Sequence, residues 1–335
     1  MRLNAARATS LLIVPVCLFL LSSPLRATTC RPSAIPEAPN SVATALVFSG
    51  GGAKGAYEAG VAHVFASNGI PITLVAGSSA GAFNATLVAA GQAGELEELW
   101  TGLSSEQLFR LRASIWLSGF LPGWLTLWTL NQAGSLFDVA PLRSLLEARI
   151  DLERVKRSSI RLLVVATDLA HRRKRSFDNH TVSYDALLAS VAMPGAFPPV
   201  EVDGELLFDG GFVGRAPVIE ALEKYPGVAA RVIVIVSYAE GEGGEPPVTI
   251  RRAVESAFEM AQTHQILRDV ELARLKFPSV EIQLLQPSRP LNLRPLEFSP
   301  PQLAEVYNQG KADAATCLTR LQERESEGAT EDRAP

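Results

Sequence analysis

Histidine, cysteine and methionine are scarce in this chain: four, three and three in 335 residues. No Cys/His cluster has the spacing of metal ligands, so no metal or other cofactor is expected. Three cysteines are also too few for a disulfide framework. Positive charge is not in excess, since 31 basic residues against 35 acidic ones give a formal charge of −4. That speaks against a nucleic-acid partner, which requires a basic face. The one basic run, His171-Arg172-Arg173-Lys174-Arg175, reads as a solvated loop after a strand, with contact to anionic lipid as the alternative. No repeats are visible, and no apolar run reaches the roughly 20 residues that a membrane-spanning helix needs.

The longest such run, Leu11 to Leu21, follows Arg2 and Arg7 and precedes Ser22-Ser23-Pro24 and the small residue Ala27. This is the pattern of a signal peptide over 1–27, with export to the periplasm or medium as the expectation. Arg2, Arg7 and Arg26 fall in it and no acid does; the remainder holds 28 basic and 35 acidic residues, a charge of −7. Cys17 leaves with the signal. Cys30 and Cys317 then remain, and one disulfide between them suits an oxidising compartment, with two unpaired thiols as the alternative. Residues 28–41 are rich in Pro and polar groups and read as a linker.

Continuous apolar runs at 43–48, 72–76, 161–167, 206–208, 232–237 and 280–285 predict strands, several of them buried on both faces. Helical patterns lie between them, and Asp138 is a plausible N-cap for the helix through Leu142 and Leu146. Alternating strands and helices predict an α/β fold, a three-layer sandwich around a mostly parallel central sheet. The main domain is expected over 42–250. A helical and strand extension of it is expected over 251–322, and a charged, disordered tail over 323–335.

Chemistry concentrates at two turns. The stretch Gly77-Ser78-Ser79-Ala80-Gly81 fits G-x-S-x-G, a pattern that carries a serine on a strand-to-helix elbow. One βαβ unit earlier, Gly50-Gly51-Gly52-Ala53-Lys54-Gly55 joins the first strand to its helix. Gly50, Gly52 and Gly55 satisfy the dinucleotide pattern literally, but no carboxylate closes the second strand to hold a ribose. A Walker loop also fails, because no Lys followed by Ser or Thr comes after the last glycine. The two parallel strands end at one sheet edge, so the glycine loop faces Ser79. Inward amides beside a serine make an oxyanion hole.

A serine needs a base. His63 lies on a helix and reads as surface or packing, and His171 and His180 flank the basic run. His264 alone has the Ser-Asp-His order, but it sits inside a helical stretch. Asp209, which closes a short apolar strand before Gly210 and Gly211, is the better candidate. Asp168 is its competitor and reads as a loop cap.

With these residues together, the chain resembles the patatin-like phospholipases, lipid acyl hydrolases with a Ser-Asp dyad. The resemblance rests on SGGGAKGAYEAG, GSSAG, FDGG and the stretch 189–211, and covers roughly 42–220. It implies Ser79 as nucleophile, Asp209 as base, the glycine loop as oxyanion hole, and catalysis without calcium. Lys54 matches a basic position of the family's loop. One departure is Gly214-Arg215-Ala216-Pro217, where the family commonly carries Asn-x-Pro; it bears on headgroup preference. The implied substrate is a lipid ester, met at a membrane surface. The alternatives are a Ser-Asp-His carboxylesterase and a silent lipid-binding protein of the same fold.

Residues 113–130 hold Trp116, Trp124 and Trp128, three of the four tryptophans. With Phe120 they keep a four-residue spacing that Pro122 and Gly123 interrupt. Aromatic spacing of this kind reads first as a packed pair of core helices. The other reading is a lid or membrane-touching cap.

Overall fold

The computed structural model describes residues 42–239 and 246–331. The expected signal, the linker and Cys30 lie outside the described residues.

Strand β1 (Thr44–Phe48) is buried at every position. Its side chains alternate between two cores, as a strand covered on both faces requires. Leu46 and Phe48 enter one core, while Ala45 and Val47 enter the other. Helix α1 (Gly55–Ser67), β2 (Ile72–Ser78), α2 (Ala80–Ala89) and α3 (Leu96–Thr101) follow. Short strands β3 (Arg110–Leu111) and β4 (Phe137–Asp138) pair as a ribbon that carries α4 (Ala113–Ser118) and α5 (Gly123–Gln132). Then come α6 (Ala140–Arg149), α7 (Leu152–Arg157), β5 (Arg161–Asp168), β6 (Arg173–Phe177), α8 (Tyr184–Ser190), β7 (Val200–Val202) and β8 (Glu205–Asp209). The chain closes with α9 (Val218–Lys224), β9 (Arg231–Ile235), α10 (Ile250–Lys276), β10 (Glu281–Leu285) and α11 (Pro300–Glu331).

The sheet runs β10-β9-β1-β2-β5-β8-β7, with β6 also on β5. The first five strands are mutually parallel. Helices α1, α2, α3, α6, α8 and α11 supply the core on one face. Helices α9 and α10 cover the other with Val218, Leu222, Ile266 and Val270. This is the expected three-layer α/β architecture. The segment 251–322 belongs to it, because β10 extends the sheet and α10 and α11 fill both cores.

Three expectations are corrected. Composition predicts disorder from Glu323, yet α11 continues to Glu331; Gln, Glu and Arg are good helix formers and extend an existing helix without a new nucleus. Asp138 does accept the Ala140 amide (3.0 Å), but it stands one residue before the N-cap position, Val139. The basic run is partly a strand: β6 holds Arg173–Phe177 against β5. Its charges are matched there, with Arg173 and Arg175 on Glu205 and Lys174 on Glu220. Those three side chains are therefore engaged within the fold rather than offered to lipid.

One register decides the site. Strand β2 runs along β5 from Leu74, opposite Arg161, to Ser78, opposite Val165. Strand β6 occupies the other edge of β5 over 164–168. Strand β8 must therefore share the β2 edge, and its Asp209 stands opposite Ala166. Strands β2 and β8 thus meet end to end along one strand. Asp209 occupies the rung that β2 would fill next had it not turned away at Ser79.

Candidate active site

Ser79 has φ 54° and ψ −134°, a left-handed conformation that is strained for a residue with a Cβ. Close approach explains its two glycines. A Cβ on Gly77 would lie 2.4 Å from the Gly81 carbonyl oxygen, and one on Gly81 would lie 2.7 Å from that of Phe48. The Ser79 amide donates to both the carbonyl (3.1 Å) and the hydroxyl (3.0 Å) of Ser190. The Ser190 hydroxyl donates in turn to Val165 O (2.7 Å). Ser78 donates to the Arg215 carbonyl (2.7 Å). The elbow is thereby fixed while Ser79 keeps partial exposure.

Asp209 is buried, and Oδ1 accepts the Gly211 amide at 2.7 Å. The Ser79 hydroxyl lies near the same carboxylate and favours its ionised form. Burial pushes the Asp209 pKa up to about 6, against the opposing pull of the Gly211 amide, the Ser79 hydroxyl and the Arg215 charge. A carboxyl so placed is a stronger base than an exposed one, and it stays ionised at neutral pH. Asp168 is different. Burial raises its pKa, but His171 (Nδ1, 2.7 Å) and Arg173 (Nε, 3.0 Å) outweigh that and hold it near 2. It organises its own turn. His264 is exposed on α10, and the α10 side chain that reaches the dyad turn is Gln262, at 3.4 Å from Gly211 O. Among the described residues no histidine bonds Asp209. Of the two readings, surface or packing, the structure gives packing: His63 meets Tyr307 edge-on.

The glycine loop is narrower as an oxyanion hole than its sequence implies. Gly50, Gly51 and Gly52 have φ of 72°, 125° and 60°, a run that only glycine adopts without strain. Yet the Gly50 amide donates to Glu58 (2.9 Å), that of Ala53 to Pro295 O (2.8 Å) and that of Lys54 to Gly51 O (3.2 Å). The Gly55 amide closes the short turn on Ala53 and Gly52. The amides of Gly51 and Gly52 remain without an acceptor among the described residues. These two residues, and not Gly50, line the cavity beside Ser79 and Asp209. The Ser237 hydroxyl clamps the loop through Gly50 O (2.6 Å).

Glu58 is the residue that the sequence conceals. It is fully buried, its Oε1 takes both the Gly50 amide and the Ser49 hydroxyl, and burial pushes its pKa up to about 8. At neutral pH it is a protonated brace for the loop. Only its place in the run GAYEAG marks it. Ser190 is a second such residue, an ordinary serine in sequence.

The cavity measures about 1980 Å³. Its lining includes the apolar Phe83, Leu142, Leu145, Leu187 and Phe197, and also Arg215, Ser237 and Gln262 together with Phe212 and Phe258. The aromatic segment does not form a core pair. Trp116, Phe120, Trp124 and Trp128 are 58%, 74%, 73% and 59% exposed on α4 and α5. The ribbon below them ties in at Leu136 and Phe137, whose amides bond Gly195 and Ala196. Phe137 also stacks on Phe109 and Phe197 of the cavity wall. Cys317 is buried in α11 and disulfide-bonded.

The model of the patatin-like phospholipase family matches residues 46–222, more than half of the chain. The chain belongs to this family. An uncharacterised NTE family protein of Mycobacterium tuberculosis is 29% identical over 238 residues, covering 69% of this chain and 59% of that one. The mouse patatin-like phospholipase domain-containing protein 7 is 26% identical over 58% of this chain and 13% of its own length. A lysophospholipase NTE1 of Candida glabrata is 29% identical over 53% and 10%. The chain therefore spans about three fifths of the mycobacterial relative and a small part of the others. Among solved structures, VipD of Legionella pneumophila aligns over 90% of this chain and 72% of its own, at 18% identity and a TM-score of 0.47.

Proposed function

We propose that this patatin-like protein is a serine lipid acyl hydrolase. The observation that carries the reading is convergence: the Ser79 hydroxyl, the Asp209 carboxylate and the unclaimed amides of Gly51 and Gly52 line one cavity. Asp209 accepts the Ser79 proton as Oγ attacks an ester carbonyl. The developing oxyanion binds the two loop amides, each such donor being worth roughly 2.7–4 kcal/mol in the transition state. Asp209 returns the proton to the departing alkoxide, leaving an acyl-serine. It then takes a proton from water, whose oxygen attacks the acyl carbon, and the fatty acid leaves as Ser79 is regenerated. The apolar lining contributed by α2, α6 and α8 suits the acyl chain. The uncharged, aromatic α4–α5 hairpin suits transient seating on a lipid surface.

A fluorophosphonate probe tests the chemistry. Wild type should be labelled, and Ser79→Ala should not be. Folded wild type that resists the probe and hydrolyses no ester would instead support the silent lipid-binding reading. Export is part of the proposal, and the disulfide at Cys317 supports it. Mass spectrometry of protein recovered outside the cytoplasm should show a chain that begins near residue 28.

A further inference from the structure

Arg215 stands in the loop that follows Asp209, where the resemblance leads one to expect asparagine. Its carbonyl is fixed by Ser78, so the backbone beside the elbow is held. Its Nη2 lies 3.1 Å from the point where a Cβ on Gly51 would be, which sets the guanidinium against the oxyanion loop. It lines the same cavity as Ser79. Asp209 and Glu259 act on it through their charges. Among the described residues, however, no carboxylate forms an ion pair with it and no acceptor forms a hydrogen bond with its side chain. An arginine fork facing a ligand cavity without an acceptor is suited to a planar or tetrahedral anion, phosphate above all.

The position says which part of a substrate meets it. Helices α2, α6 and α8, which belong to the layer of the first core, give the cavity the apolar side chains Phe83, Leu142, Leu145 and Leu187. Arg215 lies on the opposite side, between the dyad turn and α9, whose residues join the second core. An acyl chain laid against α2, α6 and α8 directs the alcohol half of the ester toward the Arg215 side. We propose that Arg215 is the headgroup receptor: it binds the phosphate of a glycerophospholipid leaving group and makes the site select acyl esters of phosphorylated alcohols over neutral ones. This rests on the serine hydrolase reading and deepens it.

The test compares wild type with Arg215→Met and Arg215→Lys on two micellar substrates with one acyl chain, 1-acylglycerol 3-phosphate and 1-monoacylglycerol. The ratio of their kcat/KM values should favour the phosphate ester in wild type. It should fall by at least about tenfold in Arg215→Met, chiefly through KM, and recover in part in Arg215→Lys. Glycerol 3-phosphate and inorganic phosphate serve as competitors in the monoacylglycerol assay. Inhibition that Arg215→Met relieves is expected for glycerol 3-phosphate. Equal inhibition by inorganic phosphate would assign the site to free phosphate and overturn the headgroup role. Equal losses on both esters would make Arg215 a support for Asp209 or the oxyanion loop, and an unchanged ratio would remove it altogether. Should Arg215→Met fail to fold, binding of 1-acylglycerol 3-phosphate to Ser79→Ala, with and without Arg215→Lys, gives the same decision. Fluorophosphonate labelling keeps the two readings apart. Intact labelling with an unchanged ratio sinks only the receptor, whereas absent labelling and no hydrolysis sink both.

Discussion

At the scale of single residues, two buried carboxyls set the pH behaviour. Asp209 must be ionised to accept a proton, and its pKa near 6 places the acid limb there. The kcat/KM for a short ester should fall about tenfold per pH unit below that point. A limb near 4 in steady-state profiles would show that burial does not tune this base. The same shift bears on stability. A pKa raised on folding means that the native state holds its proton more tightly, so stability is full below about 4 and declines as pH rises toward 6. Asp209→Asn should therefore remove activity while raising the melting temperature at pH 7.5, with no gain at pH 4. Glu58 follows the same sign over a higher window: its folded pKa near 8 lets stability drain between about 4.5 and 8. Glu58→Gln, which keeps an acceptor for Gly50 and Ser49, should flatten that part of a melting-temperature profile. None of this is legible in the primary structure beyond residue type. Asp209 stands out there because an apolar strand precedes it and two glycines follow. Glu58 sits in a helix among alanines and glycines, and nothing local announces that helix α1 is buried on all sides.

At the scale of elements, runs such as TALVF and RVIVI declare buried strands because both faces are covered. The small strands hide for the opposite reason. Strand β6 reads RKRSF, with no apolar alternation, and is held by pairing and by carboxylates from other elements. Strand β7 had a usable signal: Asp203-Gly204, both with positive φ, is the two-residue turn that favours a hairpin. The hairpin of α4 and α5 shows the limit of spacing as evidence. A four-residue aromatic interval fits a core helix and a surface-seeking one equally, and only the absence of a packing partner distinguishes them. Replacing Trp116, Trp124 and Trp128 by Ser should leave hydrolysis of a soluble short-chain ester within about twofold and reduce vesicle hydrolysis at least about tenfold. Parallel losses on both substrates would return the hairpin to a folding role.

At the scale of the whole molecule, the last helix joins the first. A Cβ on Gly310 of α11 would lie 2.1 Å from Tyr57 O on α1, and one on Gly60 of α1 would lie 2.1 Å from Tyr307 O. The backbones cross at contact distance, and Tyr57 hydrogen-bonds Asp313 at the crossing. Gly310→Ala should lower stability by about 1–3 kcal/mol in denaturant titration, since neither backbone can retreat from the sheet. Reduction of the disulfide at Cys317 should lower it by about 2–5 kcal/mol; an unchanged midpoint in dithiothreitol would make the bond dispensable. Composition shows the three layers and the two active turns because both depend on local pattern. Their meeting depends on β2 and β8 both pairing with β5, contacts between segments too far apart for a local window of sequence to contain.

That pairing has an evolutionary corollary. Ser79 and Asp209 are aligned by a common neighbour, β5, and not by the chain that runs between them. Anything spliced into the stretch from α3 to α6 leaves their alignment untouched. The α4–α5 hairpin is thus free to be exchanged, lengthened or lost by descent, while the alignment beneath it is inherited unaltered.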